Sequence, residues 1–108
     1  MPSDMEGKAR EFYAGLLGMI EIEKPPALAT RGGAWFRSGD VFVHLGVDKG
    51  FQPARKAHPA FVCADYDELV ERLRSHGVYI HTDDLLADGR RHCYIADPFG
   101  NRVELISQ

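Results

Sequence analysis

The hydrophobic and polar positions of this chain follow two periods, one typical of helices and one typical of strands. Apolar residues recur at helical spacing over 6–17 and 66–76, and a glycine follows each run, as expected for a helix C-terminus. Shorter runs with period-two alternation or continuous apolar character occupy 19–23, 34–37, 41–47, 59–64, 78–82, 91–96 and 102–107. The pattern therefore predicts an α+β protein.

The order of the predicted elements repeats along the chain. A helix and three strands occupy 6–47, a polar linker with neither period occupies 48–57, and a strand, a helix and three strands occupy 58–108. We expect a single domain, 1–108, built from two βαβββ modules, the first of which lacks its N-terminal strand. One module leaves a sheet face uncovered, so two modules must pair, and their cupped sheets would enclose a cleft for a small ligand.

Composition narrows the classes of partner. The chain has 108 residues, 44% of them hydrophobic, which suits one core. Its net charge is −3 with acids and bases interleaved, so we expect no nucleic-acid partner. Its apolar runs are far shorter than the roughly 20 residues of a membrane span, and its N-terminus has no signal-peptide core. We expect a cytoplasmic protein in which Cys63 and Cys93 are buried free thiols.

The C-terminal segment carries the most distinctive pattern. A turn at 97–101, with sequence DPFGN, precedes a strand in which Val103 and Leu105 share one face. Glu104 interrupts the apolar run and points to the opposite face. Glu104 is either a solvated residue on an exposed edge strand or a functional carboxylate, and the pattern by itself favours neither.

Three segments resemble the vicinal oxygen chelate superfamily, which includes glyoxalases, bleomycin resistance proteins and extradiol dioxygenases. They are the C-terminal segment 97–106 (DPFGNRVELI), the first helix 9–18 (AREFYAGLLG) and the start of the second module, 57–61 (AHPAF). The resemblance runs through both modules in the family's order. The combination of segments is more specific than any one of them.

The resemblance implies a divalent metal, Zn, Ni, Mn or Fe(II), held by His44, His58 and Glu104. Alternation supports His44, because it lies opposite the aliphatic face of its predicted strand. Two imidazoles and one carboxylate are a common ligand set for these metals. Family members supply a fourth ligand, a His, from the strand that this chain lacks, so at most three protein ligands remain.

The leading hypothesis is a glyoxalase-like metalloprotein that chelates vicinal oxygens of a small substrate, as a lyase, isomerase or dioxygenase, with Glu104 able to act as a catalytic base. The alternative is a metal-free, bleomycin-resistance-type protein that binds a drug or metabolite. A third hypothesis is an inactive copy that has lost its start. We expect a homodimer, because a missing strand leaves an open sheet edge. The substrate and the metal are not specified by the sequence.

Four further residues are candidates for substrate binding: Trp35, Arg37, Phe42 and Arg91. Trp35 and Phe36 alternate, so one faces the cleft and the other the helix layer. Core packing is the alternative for Trp35, and solvation is the alternative for both arginines. His92 follows Arg90 and Arg91 and is grouped with them as a basic surface cluster.

Overall fold

The computed structural model describes residues 1–108 and divides them into two compact units, Met1–Gln52 and Pro53–Gln108. We call them the N-terminal and the C-terminal unit. Each contains helix and sheet, so the predicted α+β class is confirmed. The boundary falls inside the predicted linker 48–57. Whether the two units form one domain stays a prediction.

The N-terminal unit begins with a helical segment followed by a three-stranded antiparallel sheet. The segment consists of α1 (Glu6–Ala9) and a π-helical stretch, Arg10–Leu16. The sheet has the order β1 (Ile20–Ile22), β2 (Ala34–Ser38), β3 (Val41–Leu45). A short helix α2 (Pro26–Ala29), which the sequence analysis missed, follows β1, with proline at its first position, where no backbone N–H is needed.

The first helix is an α-helix for only its first turn, whereas the periodicity predicted an α-helix throughout. Phe12 and Tyr13 are buried at the start of the wider π-helical stretch, and the amide of Leu17 donates to the carbonyl of Phe12, five residues earlier. Gly18, at φ 76°, ends the segment as predicted. Tyr13 stacks on Phe36 at 5.4 Å, which places Phe36 in the core of this unit.

The C-terminal unit contains α3 (Tyr66–Ser75) and a four-stranded sheet. The sheet has the order β4 (Ala60–Cys63), β7 (Arg102–Ser107), β6 (His92–Ala96), β5 (His81–Thr82). β4 and β7 are parallel, and the other pairs are antiparallel. The unit thus follows the predicted order of strand, helix and three strands, although β5 is shorter than the predicted strand 78–82.

Capping at α3 differs from the prediction. Asp65 is the residue before the helix, but its side chain accepts no capping hydrogen bond, so the predicted side-chain cap is wrong. Its backbone carbonyl accepts the amide of Leu69 at 3.0 Å, the ordinary first hydrogen bond of the helix. Gly77, at φ 81°, closes the helix as predicted. The apolar side of α3 is buried through Tyr66, Leu69 and Leu73.

The turn 97–101 fixes how β6 meets β7. Asp97 is buried, its Oδ1 accepts the amides of Phe99 and Asn101 at 2.9 Å each, and its Oδ2 accepts the side-chain amide of Asn101 at 2.8 Å. Gly100 adopts φ 87°, a conformation that favours glycine. The turn thereby sets the register in which Tyr94 pairs with Glu104.

The edge of β3 carries a backbone contact from the start of the chain. The amino group of Met1 donates to the carbonyl of Gly46 at 2.8 Å, and the carbonyl of Met1 accepts the amide of Asp48 at 2.9 Å. No strand precedes α1 in the described chain, as predicted. Both cysteines are free thiols, and Cys93 is fully buried, whereas Cys63 is only half-buried. No helix of the chain has the length and apolar character that crossing a bilayer requires.

Candidate active site

Glu104 lies near the middle of β7, a central strand that pairs with β4 on one side and β6 on the other. Its register partners are Ala60 and Tyr94. Only 9% of the residue is exposed, so its carboxylate is a buried acid. The alternative of a solvated residue on an edge strand is wrong. A carboxylate with this little exposure requires partners that compensate for lost hydration.

His58 is one of these partners. Its Nε2 lies 3.3 Å from Oε2 of Glu104, and its Nδ1 lies 2.6 Å from the backbone carbonyl of Lys56. A carbonyl oxygen only accepts, so Nδ1 carries a proton and donates it. This bond orients the ring with Nε2 towards the carboxylate. The structure therefore brings together two of the three predicted metal ligands, His58 and Glu104.

His92 is the other partner, and the sequence analysis missed it. Its Nδ1 lies 2.6 Å from Oε1 of Glu104, and its Nε2 lies 2.7 Å from the carbonyl of Asp84. Both ring nitrogens therefore face acceptors, an arrangement satisfied when both are protonated. The hydrogen bond to Glu104 raises the pKa of His92 above its ordinary value of 6.5, against the effect of burial.

The pKa of the Glu104 carboxylate is shifted in the opposite direction, downwards. Burial raises the pKa of Glu104, but the hydrogen bonds from His92 and His58 together outweigh burial, and the pKa lies below its ordinary value of 4.5. Glu104 is thus ionised at neutral pH. The result is a charged carboxylate held between two imidazole rings in a mostly dry environment.

Tyr94 forms an aromatic wall beside this cluster. Its ring lies edge-on to His58, with centroids 5.4 Å apart, and edge-on to His92, with centroids 5.5 Å apart. The guanidinium of Arg102 lies 5.5 Å from the Tyr94 centroid. We refer to His58, His92, Tyr94 and Glu104 as the Glu104 cluster. The ring contacts limit the rotation of both histidines.

The remaining predicted metal ligand, His44, lies on β3 of the N-terminal unit. Its ring stacks on Trp35 with centroids 3.6 Å apart and planes at 2°. Phe42 approaches the His44 ring edge-on at 6.4 Å. The strand register pairs Trp35 with His44 and Arg37 with Phe42, so these four residues share one face of the sheet. Phe36 is buried on the other face, and Trp35 is therefore the residue of this pair that faces away from the helix.

Arg91 lies apart from the Glu104 cluster. It precedes β6 by one residue, and its guanidinium makes two hydrogen bonds to the carboxylate of Asp67 on α3, at 2.7 and 3.1 Å. It also lies 5.1 Å from the Tyr66 ring centroid. The side chain is thus directed to the helix-covered side of its sheet. The prediction that Arg91 lies in the strand is therefore wrong by one residue, whereas its role in substrate binding stays a prediction.

Strand register explains why His92 and Tyr94 join the cluster. Both lie on the same face of β6, alternating with the buried Cys93 and Ile95. The period-two pattern of 92–95 contains this signal. Counting back from the turn 97–101 along both strands would have paired Tyr94 with Glu104 and placed His92 beside it. The adjacent Arg90 and Arg91 instead led to the prediction that His92 belongs to a basic surface group.

Two side chains of the C-terminal unit are of types that bind divalent metals. Nε2 of His58 and Oε2 of Glu104 lie 3.3 Å apart, a separation that two ligands of one metal can have, and the carbonyl of Lys56 provides the outer hydrogen bond that orients metal-binding histidines. The chain has no group of three or more His, Cys, Asp or Glu side chains already arranged around one metal position. Participation of His44 stays a prediction.

Comparisons with known proteins identify the family. Residues 3–105 match the model of the Glyoxalase/Bleomycin resistance protein/Dioxygenase superfamily. A crystal structure from Bacillus anthracis, assigned to the glyoxalase family, is 41% identical with a TM-score of 0.94, and the match covers 100% of this chain and 88% of that one. A comparison with curated proteins gives no match.

More distant structures share the fold. Lactoylglutathione lyase from Agrobacterium tumefaciens is 22% identical with a TM-score of 0.73, and the match covers 99% of this chain and 88% of that one. A fosfomycin resistance protein from Listeria monocytogenes is 19% identical with a TM-score of 0.74, with 94% and 83% covered. The family model and the Bacillus anthracis structure together show that this chain belongs to the Glyoxalase/Bleomycin resistance protein/Dioxygenase superfamily.

Proposed function

We propose that this protein is a metal-dependent enzyme of the glyoxalase type, a lyase, isomerase or dioxygenase that acts on a small molecule with two neighbouring oxygens. Members of the superfamily typically use divalent metals. The observation that carries the proposal is the pairing of His58 Nε2 with Glu104 Oε2 at 3.3 Å. The metal is Zn, Ni, Mn or Fe(II), because an imidazole and a carboxylate suit all four.

Each residue of the pair has a separate role. His58 would bind the metal through Nε2, since Nδ1 is committed to the carbonyl of Lys56. Glu104 would bind through a carboxylate oxygen. When bound, the metal stabilises negative charge on substrate oxygens as a Lewis acid. His44 is the third proposed ligand, and its own substitution tests that role separately.

Glu104 has a second proposed role as a base. Its carboxylate is ionised at neutral pH, because the hydrogen bonds from His92 and His58 lower its pKa. An ionised carboxylate in a site with little water can accept a proton from a substrate carbon or hydroxyl. The nearby imidazole of His92 stabilises the charged form of Glu104 in the substrate-free protein.

The substrate side is proposed for the exposed face that Trp35, Arg37 and Phe42 share. Phe42 is 56% exposed, which is unusual for a large aromatic residue on a sheet. Arg37 on the same face is exposed and could bind an anionic group of a ligand. This face has the aromatic and cationic character that a small oxygenated molecule with an apolar part requires.

Metal stoichiometry tests the proposal. The protein is stripped with EDTA, loaded with Zn, Ni, Mn or anaerobic Fe(II), desalted and measured by elemental analysis and thermal unfolding. We expect one equivalent of metal and a higher melting temperature in the wild type. His58→Ala and Glu104→Gln should lose both effects, and His81→Ala, which removes an exposed imidazole from β5, should retain them. Full metal content in His58→Ala would contradict the assignment.

Chelation of two oxygens needs its own measurement. A small hydroxamate presents two adjacent oxygens and should bind the metal-loaded wild type. It should not bind the EDTA-treated wild type. Metal-loaded His81→Ala should bind it as tightly as the metal-loaded wild type. Equal binding to the metal-free and metal-loaded wild type would remove metal chelation from the proposal.

A second candidate function has its own supporting observation. Glu104 already accepts hydrogen bonds from His58 and His92, so its carboxylate is satisfied without a metal. A metal-free protein that binds a drug or metabolite on the Trp35 face is consistent with this. Binding of bleomycin in excess EDTA, followed by Trp35 fluorescence, together with no metal uptake, would favour this candidate over the enzyme.

We also propose that the protein is a homodimer. The three-stranded sheet has β1 and β3 as its outer strands, and the backbone of Met1 bonds to Gly46 and Asp48, which lie just beyond β3. Free strand edges favour pairing with another chain. Light scattering should give twice the mass of 12.1 kDa, and a monomer at micromolar concentration would contradict the proposal.

A further inference from the structure

His92 is a buried histidine outside the predicted ligand set. Its side chain is 7% exposed, and both of its ring nitrogens are engaged, one by Glu104 and the other by the carbonyl of Asp84. A ring held at both nitrogens cannot rotate without losing at least one hydrogen bond. The edge of Tyr94 restricts it further from the side.

The two oxygens of Glu104 are treated differently. Oε1 accepts a short bond from His92 at 2.6 Å, whereas Oε2 lies at a longer 3.3 Å from His58. His92 therefore holds the carboxylate by one oxygen and fixes the direction of the other. Because the contact between Oε2 and His58 is long, that oxygen is the one more easily given to a new partner.

We propose that His92 is a positioning residue that holds Oε1 of Glu104, so that Oε2 stays beside Nε2 of His58 and is the oxygen offered to a divalent metal. This inference rests on the metal binding put forward above. His92 does not itself bind the metal, since neither of its nitrogens is free. Outer hydrogen bonds of this kind typically change metal affinity by about 10- to 100-fold.

Geometry specifies which variant should rescue the interaction. The contact to Glu104 comes from Nδ1, and the amide nitrogen of asparagine occupies a similar position one atom beyond Cγ. His92→Asn can therefore still donate to Oε1 after losing the bond to Asp84. The amide of glutamine stands at the position of Nε2 instead, so His92→Gln can reach Asp84 but not Oε1. His92→Leu removes both bonds at similar volume.

The experiment measures Ni²⁺ affinity by competition with a chelator for the wild type and these three variants. His81→Leu is the matched control, because it removes an exposed imidazole that lies 6.2 Å from the Tyr94 ring, whereas the hydrogen bonds to Glu104 come from His58 and His92. We expect His92→Leu and His92→Gln to bind Ni²⁺ about 10- to 100-fold more weakly. His92→Asn should bind within about threefold of the wild type, and His81→Leu should be unchanged.

Thermal unfolding of each metal-free variant shows whether it is folded. Wild-type affinity in folded His92→Leu, or equal weakening in the Asn and Gln variants, would overturn the positioning role and leave the proposed function intact. The Asn and Gln comparison also separates positioning from a general loss of stability, which would not distinguish the two amides.

Metal-free crystal structures of the wild type, His92→Leu and His92→Asn decide the inference even if the wild type binds no Ni²⁺, a result that would count against the proposed function alone. We expect the Glu104 carboxylate to leave His58 in His92→Leu and to keep its direction in His92→Asn. An unchanged Glu104 conformation in His92→Leu would overturn the inference whatever the metal result.

Discussion

The hairpin β2–β3 of the N-terminal unit and the hairpin β6–β7 of the C-terminal unit each pair an aromatic residue with a polar one, but in different surroundings. Trp35 pairs with His44 in the first, and Tyr94 pairs with Glu104 in the second. His44 is exposed and has an aromatic partner that stacks flat on it. Glu104 is buried between two imidazoles. The repeat thus preserves the position of the polar residue but not its electrostatic environment.

This difference in environment originates two positions before Tyr94 and Trp35 in the chain. In the C-terminal hairpin Cys93 pairs with Leu105, and in the N-terminal hairpin Ala34 pairs with Leu45. The residue before Cys93 is His92, and the residue before Ala34 is Gly33. Gly33 has no side chain with which to hold His44. We therefore expect a rigid, charged cluster in the C-terminal unit and an exposed aromatic face in the N-terminal unit.

Gly33→Ala should have the largest effect on stability. Gly33 adopts φ 86°, and a Cβ there would lie 2.1 Å from the carbonyl oxygen of Leu45. That contact is with backbone, so the hairpin itself must shift. Left-handed strain and overpacking together predict a loss of about 3–5 kcal/mol in the free energy of unfolding. Gly46→Ala, in open space nearby, is the matched control for urea unfolding. Equal stability of the two variants would show that Gly33 is not what separates the hairpins.

Glu104→Ala should have the next largest effect. It leaves the buried imidazole of His92 without its acceptor, and losing one member of a buried pair is costly. We expect a loss of about 2–3 kcal/mol in urea unfolding with EDTA present, since His92 can release its proton and limit the cost. His44→Ala at the equivalent exposed position should cost less than about 1 kcal/mol. Similar losses in the two variants would contradict the contrast between the hairpins.

Much of the fold could be predicted because it depends on local patterns. Gly18 and Gly77 end the first helical segment and α3 where the apolar periodicity stops, and the turn 97–101 joins its strands as expected. The errors occurred where tertiary packing or backbone partners decide the outcome. Burial of Phe12 and Tyr13 accompanies the π-helical stretch, and the side chain of Asp65 makes no capping hydrogen bond at α3.

The site could be predicted only in part. His58 and Glu104 were found through resemblance, and the structure brings them together. His92 was missed because its role depends on strand register and on the backbone carbonyl of Asp84, neither of which appears as a motif. The position of Arg91 was missed because its partner, Asp67, lies 24 positions earlier on α3, and the ion pair holds the side chain against the helix.

The pH dependence of stability tests the electrostatic interactions of the β6–β7 hairpin. The pKa of His92 is raised, so its protonation stabilises the fold fully below its ordinary value of 6.5, and this contribution is lost as pH rises through the raised pKa. The pKa of Glu104 is lowered, so its contribution is present above 4.5 and is lost as pH falls through the lowered pKa. In the metal-free protein, the pair of His92 and Glu104 should stabilise the fold most between pH 4.5 and pH 6.5.

His92→Asn provides the reference for that measurement, because asparagine does not titrate. Urea unfolding in EDTA is measured for both proteins across acid, neutral and mildly alkaline pH. The difference in unfolding free energy between wild type and His92→Asn should be largest between pH 4.5 and pH 6.5 and should shrink at alkaline pH. A difference that is independent of pH would show that the charge of His92 does not stabilise Glu104.

The smallest effect on stability is expected at the β2–β3 hairpin, where tryptophan fluorescence gives a sensitive signal. The chain has one tryptophan, Trp35, so its fluorescence reports on the N-terminal unit alone. The stacked His44 ring should quench it, and His44→Ala should brighten it with little change in unfolding free energy. If His44 binds the metal, Ni²⁺ should quench Trp35 strongly in the wild type and much less in His44→Ala, even when His58 and Glu104 are intact. Equal quenching in both proteins would remove His44 from the ligand set and leave the C-terminal unit as the only source of ligands.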